Sequence, residues 1–239
     1  MHHKLPVLLL PEKSDPEFEV LATAWLKTGA EVRRLGKYWI KDPELEGRAI
    51  AIYGNQPFAF VLAQIYGTTL IAPDDELILR LNESWTKRLL SVKQKKDLQI
   101  TDFPIFIKPL VPKMFAAKVF QSLDEFTLFT QGIAGQEEML TSTIIDDITA
   151  EVRCFIKDGA LKELAFYEGS GDTEAATDFI NDFLHNNNGK LPAVVVVDIA
   201  FSGSTGWFIL EFNACWGAGL NGCDAGKILD CISGATINA

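Results

Sequence analysis

A chain of 239 residues, 48% hydrophobic and 23% charged, has the material for a full core, as one large domain or two small ones. Its 22 basic against 32 acidic residues leave a net charge of −10, which argues against nucleic acid or an anionic membrane as a main partner. Leu5 to Leu10 is too short for a signal or a span, and no later apolar run approaches the roughly 20 residues of a spanning helix. The chain is therefore expected in the cytoplasm.

In chain order, Pro6 to Leu10 reads as a short apolar strand. Asp15 and Pro16 then supply an N-cap and a first-turn proline, and Phe18, Leu21, Trp25 and Leu26 follow at helical spacing until Gly29. Glu31 to Leu35 and Ala49 to Tyr53 read as strands, Pro57 to Tyr66 as a helix closed by Gly67, and Thr68 to Ile71 as a fourth strand. This predicts a small α/β layer with a mostly parallel sheet, left through the acidic, proline-containing stretch Pro73 to Glu76.

Beyond that linker the pattern becomes α+β. Asn82 predicts a helix through about Val92, and Pro104 to Lys108 and Ala116 to Phe120 read as strands around the loop LVPKMF. Glu151 to Lys157 and Leu161 to Tyr167, joined by Asp158 and Gly159, form a hairpin signal. Asp172 caps a helix bearing Phe179, Ile180, Phe183 and Leu184, and two last strands precede a glycine-rich tail. The organisation expected is therefore residues 1–76 and residues 77–239.

The last two strands, in VVVVDIAFSGSTGWFILEFN, carry polar groups where a core strand should have none. Glu211 and Asn213 share one face by the two-residue period, and a hairpin partner brings Asp198 alongside. Such an all-oxygen cluster suits a hard divalent cation such as Mg2+, because buried carboxylates need compensation. Ordinary strand-end polar residues in solvent would give the same local pattern.

Lys108 ends an apolar strand, Lys113 lies in the loop, and Lys118 interrupts the next strand. Singly each reads as a snorkelling surface lysine. Together, and with Arg153 inside its own strand, they offer cations that can converge on phosphates, which phosphoryl chemistry requires. Gly217, Gly219 and Gly222 spell GxGxxG, but too little chain follows for the parallel unit that a dinucleotide turn must feed. Cys154, Cys215, Cys223 and Cys231 lack CxxC spacing and read as packing residues.

IFIKPL, PKMFAAKVF, AEVRCFIKDG and the block from Val194 to Asp224, in that order, resemble a small bacterial and phage branch of the ATP-grasp superfamily. The resemblance implies an ATP-grasp fold of two α+β lobes behind an N-terminal Rossmann-like pre-ATP-grasp layer. It implies ATP, with Lys108 and Lys118 on the phosphates and Lys113 in a loop above them, and Asp198, Glu211 and Asn213 around Mg2+, two ions. The hinge against adenine would be Met139 to Ile145, and Arg153 would address phosphate or the acyl group. Thr141, Ser142, Thr143 and Ile144 stand where such hinges offer an acid near the ribose, leaving Asp146 or Asp147 as substitutes. Gly217, Gly219 and Asn221 would form the substrate loop, Asn221 standing where the family often has tyrosine. The activity implied is a carboxylate-amine ligase working through an acyl phosphate on small-molecule or peptide substrates; a non-catalytic ATP-binding sensor or docking module is the alternative.

Overall fold

A computed structural model describes residues 5–111 and 114–238. The chain divides into two compact units, one holding the chain up to Pro73, Thr149–Ala200 and the part from Leu210 on, the other Asp74–Ile148 and Phe201–Ile209.

In the first unit, β1 (Val7–Pro11) is apolar and buried over its first four residues, as the centre of a parallel sheet must be. Asp15 caps α1 (Pro16–Lys27) by accepting from the Glu17 N–H at 2.9 Å, and α1 buries Leu21, Ala22 and Trp25. β2 (Val32–Leu35) and β3 (Ile50–Ile52) pair in parallel with β1 on either side. α2 (Gln56–Tyr66) runs from the Asn55 cap to Gly67, whose φ of 66° is the left-handed turn that favours glycine. These elements follow the sequence closely. β4 (Thr69–Leu70) does not: it leaves the parallel sheet and pairs antiparallel with Thr236–Ile237.

Glu31, entering β2, receives hydrogen bonds from Arg48, at 2.5 Å, and from Arg33. Those two bonds hold its carboxyl down at about 2 against an ordinary 4.5. A depressed carboxyl contributes stability that is present above its unfolded value and lost as pH falls through the folded one. Glu31→Gln should therefore lower the urea midpoint at about neutral pH, and the gap to the parent should close on acidification toward about pH 2. A gap that persists in acid would remove the carboxylate's charge from the explanation.

In the second unit, Asn82 caps α3 (Glu83–Thr86) as expected, but the helix does not continue to Val92. Lys87 turns left-handed at φ 53°, and Leu90–Gln94 becomes β5. The cause is tertiary: β5 alternates and pairs along its length with a strand about fifty residues later. β6 (Ile105–Pro109) and β7 (Lys118–Phe120) form an antiparallel pair, α4 (Leu123–Phe129) follows from its Ser122 cap, and β8 (Glu138–Ser142) completes a sheet of order β5-β8-β6-β7. Phe126 of α4 packs on Ile107, Phe120 and Met139.

The rest of the first unit follows. β9 (Ile148–Lys157) and β10 (Ala160–Gly169) form the expected hairpin, turned at Asp158 and Gly159, both at positive φ. Gly169 must stay glycine, since a Cβ there would lie 2.0 Å from the Thr149 carbonyl oxygen. α5 (Thr173–Asn186) is capped by Asp172. β11 (Val194–Ser202) and β12 (Gly206–Asn213) extend the hairpin into a sheet of order β10-β9-β11-β12. The glycine-rich tail is structured: Asp224 caps α6 (Ala225–Gly234), and β13 (Thr236–Ile237) pairs with β4. Asn238 then brackets Ile50, accepting from its N–H at 2.8 Å and donating to its carbonyl at 3.1 Å.

Candidate active site

β11 is buried on both faces, so an aspartate in it must find its counter-charge inside the protein. Asp198 is fully buried, and Arg153 of the neighbouring strand β9, only 8% exposed, meets it fork to fork. Nε donates to Oδ1 at 2.9 Å and Nη2 to Oδ2 at 2.6 Å, the bidentate geometry that suits guanidinium. Burial pushes the Asp198 carboxyl above its ordinary value, while the Arg153 fork works against that shift. On Arg153 burial acts downward and is outweighed by the hydrogen bond and charge of Asp198, so the guanidinium stays protonated.

From β12, the side chains of Glu211 and Asn213 come to the same place as expected. The Asn213 amide Nδ2 donates to Asp198 Oδ2 and to Glu211 Oε1, each at 3.0 Å. Both partners are carboxylates that only accept, so the nitrogen faces them and Oδ1 is directed elsewhere. The structure thus unites Arg153, Asp198, Glu211 and Asn213. It also shows that Asp198 is compensated by Arg153, so its burial alone does not call for a metal. Among the described residues no three His, Cys, Asp or Glu side chains gather to hold an ion. The donor set is nonetheless all hard oxygen, two carboxylates and an amide. That matches Mg2+ sites where one or two carboxylates leave the remaining positions to phosphates and water.

The loop after β12 is pinned onto the same unit. Arg153 Nη1 donates to the Gly219 carbonyl at 2.8 Å, Tyr53 Oη to the Ala218 carbonyl at 2.7 Å, and the Asn221 N–H donates to Glu17 Oε1 at 2.9 Å. Asn221 takes a positive φ of 48°, and Gly217 sits in a turn back to Ala214. The GxGxxG stretch leads into α6, but β13 beyond it pairs antiparallel with β4, so no dinucleotide unit forms. All four cysteines are buried and free; burial pushes the Cys223 thiol up to about 12, leaving it protonated at neutral pH.

In the second unit, register separates two of the predicted cations. Ile107 of β6 stands opposite Lys118 of β7, so those two share a face, while Lys108, the next residue, lies on the other. Lys118 pairs with Glu125 at 2.6 Å, above the rings of Phe120 and Phe129. Lys113 lies outside the described residues. The hinge segment enters as β8 and leaves without regular structure from Thr143 to Asp147. Its hydroxyls are engaged within the unit: Thr141 Oγ1 with Ser91 Oγ at 2.8 Å, Ser142 Oγ with the Thr143 carbonyl at 3.0 Å, and Thr143 Oγ1 with the Leu89 N–H at 3.1 Å. Ile144 is partly buried. Asp147 clamps the β11–β12 turn, accepting from the Ser202 hydroxyl and from the Ser204 N–H at 2.7 Å. Those bonds hold its carboxyl below the usual range.

Sequence reading missed Tyr53, Glu17 and Tyr167. The first two act on the loop from the N-terminal layer, a contact across some two hundred residues of sequence that no local pattern announces.

Solved structures share this fold. The RimK domain protein ATP-grasp from Sphaerobacter thermophilus superimposes with a TM-score of 0.66 at 16% identity, over 95% of this chain and 98% of that one. D-alanine–D-alanine ligase from Bacillus anthracis complexed with ATP gives 0.53 at 13% identity, over 98% and 97%. The ATP-grasp ligase PsnB complexed with a minimal precursor gives 0.55 at 9% identity, over 97% and 99%. No curated protein matches the sequence. Identities this low establish the fold and not the reaction. The sequence itself matches a family described as an ATP-grasp domain, family 2 of its clade, over residues 85–231, and with this mixed α/β architecture the chain belongs to that ATP-grasp family.

Proposed function

We propose that this protein is an ATP-dependent ligase joining a carboxylate to an amine. The observation that carries the reading is the array on β9, β11 and β12: a guanidinium, two carboxylates and an amide on adjacent strands, in a chain of an ATP-grasp family. A substrate carboxylate oxygen would take the terminal phosphoryl group of ATP, leaving ADP. The amine would then attack the acyl carbon, lose a proton and expel phosphate. Asp198, Glu211 and Asn213 would hold Mg2+, which when bound supplies charge neutralisation for the phosphates.

Arg153 is placed to bind the developing negative charge on the acyl or phosphoryl oxygens, its orientation already set by Asp198 and Gly219. Lys108 would serve the phosphates. Lys118 could join it only by leaving Glu125, and Lys113 would act from its loop. The backbone of Met139 to Ile145 would receive adenine, with Thr141, Ser142, Thr143, Ile144 and Asp147 forming that wall, while Gly217, Gly219 and Asn221 line the substrate side. In this reading residues 1–76 are the pre-ATP-grasp, Rossmann-like layer and 77–239 the ATP-grasp portion. Neighbours named for D-alanine ligation and for a precursor complex support amino-acid or peptide substrates.

Hydroxylamine tests the reading. With ATP, Mg2+ and a panel of amino-acid and peptide carboxylates, the protein should release ADP and form a hydroxamate even without its natural amine, since an acyl phosphate reacts with any strong nucleophile. ADP without hydroxamate would point to a hydroxyl kinase. Tight ATP binding with neither product would leave a sensor or docking module.

A further inference from the structure

Arg153 is held by more than Asp198 and Gly219. In β9, Glu151 and Arg153 lie two residues apart and share one face. The partner strand β10 carries an irregularity at that level: its register shifts between Phe166, opposite Val152, and Glu168, opposite Glu151. Tyr167 is the residue inserted there. A bulge re-aims a side chain at the expense of one ladder position, and here the aromatic ring comes against the guanidinium, 5.6 Å from ring centroid to Arg153 Cζ. The far end of the ring is fixed too, because Tyr167 Oη donates to Glu151 Oε2 at 2.5 Å. Burial, followed by the charge of Asp198, pushes the phenol well above its ordinary value, so it remains a donor.

The two bonds to Asp198 and the one to Gly219 use three of the five guanidinium N–H groups, and the other two have no described partner. An arginine held at two edges can still tilt about its bonds to Asp198; a ring against its face removes that tilt. We propose that Tyr167 is a positioning residue, its ring fixing the plane of the Arg153 guanidinium and its hydroxyl anchored by Glu151, so that the two remaining N–H groups are aimed at the substrate's acyl or phosphoryl oxygens. The aim at substrate rests on the ligase reading above; the fixing of Arg153 does not.

Two measurements on the same variants separate the claims. The first is the 1H–15N signal of Arg153 Nε–H, assigned with Arg153→Lys, and its rate of solvent exchange. The second is the kcat and KM of hydroxamate formation. Tyr167→Leu should speed exchange about tenfold or more and lower kcat about tenfold or more, with the KM for ATP little changed. Tyr167→Phe, which keeps the ring and loses the anchor, should fall between Leu and the parent in both. Should Tyr167→Leu fail to fold, Glu151→Ala takes its place with the same expectation as Phe. Exchange and kcat unchanged in these variants would overturn the positioning role. If the parent protein forms no hydroxamate, the exchange measurement alone decides whether Tyr167 fixes Arg153, and the failure belongs to the ligase reading.

Discussion

Replacing Arg153 by methionine will cost the protein about 3–5 kcal/mol, because it strands a fully buried carboxylate. Methionine conserves much of the stem's volume but leaves Asp198 with one neutral donor, the Asn213 amide, and leaves the Gly219 carbonyl without its guanidinium. The expectation inverts the one that a phosphate-facing cation would suggest, where removal relieves repulsion in the free protein. Arg153→Lys should recover only part of the loss, since an ammonium cannot satisfy both oxygens in the fork geometry. The double variant Arg153→Met/Asp198→Leu should recover most of it, as replacing a whole buried pair by apolar groups leaves no charge unpaired. Urea midpoints of the four proteins make the cycle. A single variant as stable as the parent would mean that water reaches Asp198 freely.

ATP and Mg2+ together should raise the melting temperature far more than either alone, by about 5–10 °C at a hundredfold excess over the joint dissociation constant. A ligand seen only by the native state contributes about 2.7 kcal/mol at that excess, and chains of this size gain roughly 2–4 °C per kcal/mol. The joint effect follows from the donor set: Asp198, Glu211 and Asn213 offer too few ligands until phosphate oxygens add theirs. Glu211→Gln should abolish the synergy while leaving the melting temperature without ligand close to that of the parent. A full joint shift in that variant would take Glu211 out of the metal site.

The parts of the fold legible in the sequence are those whose signals are local. Asp15 with Pro16, Asn55 with Gly67, Asp158 with Gly159, and Asp172 each carry their cap or turn chemistry within a few residues, and each forms the element expected. Lys87 shows the opposite case. Leu90 to Gln94 has a passable helical neighbourhood, but its ladder to Met139, Leu140 and Thr141 outweighs local preference. β8 itself, EMLTS, carries no turn signal at its ends and was legible only as a resemblance. The α6 helix was hidden by the glycines around it, although Asp224 caps it in the ordinary way. At the site, Asp198 is conspicuous as one acid in an apolar run, and the two-residue period joins Glu211 to Asn213. Its pairing with Arg153 and the ring of Tyr167 depend on which strands become neighbours and where β10 slips by one residue. No local pattern encodes either.

The closing residues bear on when the protein can fold. The first unit is assembled from three stretches of chain, and β3 in its parallel sheet is bracketed by Asn238, some 188 residues later. The other unit is nearly continuous, Asp74–Ile148 with one short hairpin tip added. As a ribosome extrudes the chain, the strands β1 to β3 emerge first yet wait for α6, β13 and Asn238 to cover them. The middle of the chain meanwhile has most of its partners at hand. Loop closure over that span makes completion of the first unit slow and post-translational, and leaves its apolar β1 and β3 exposed in the interval, the period in which a chaperone would find them.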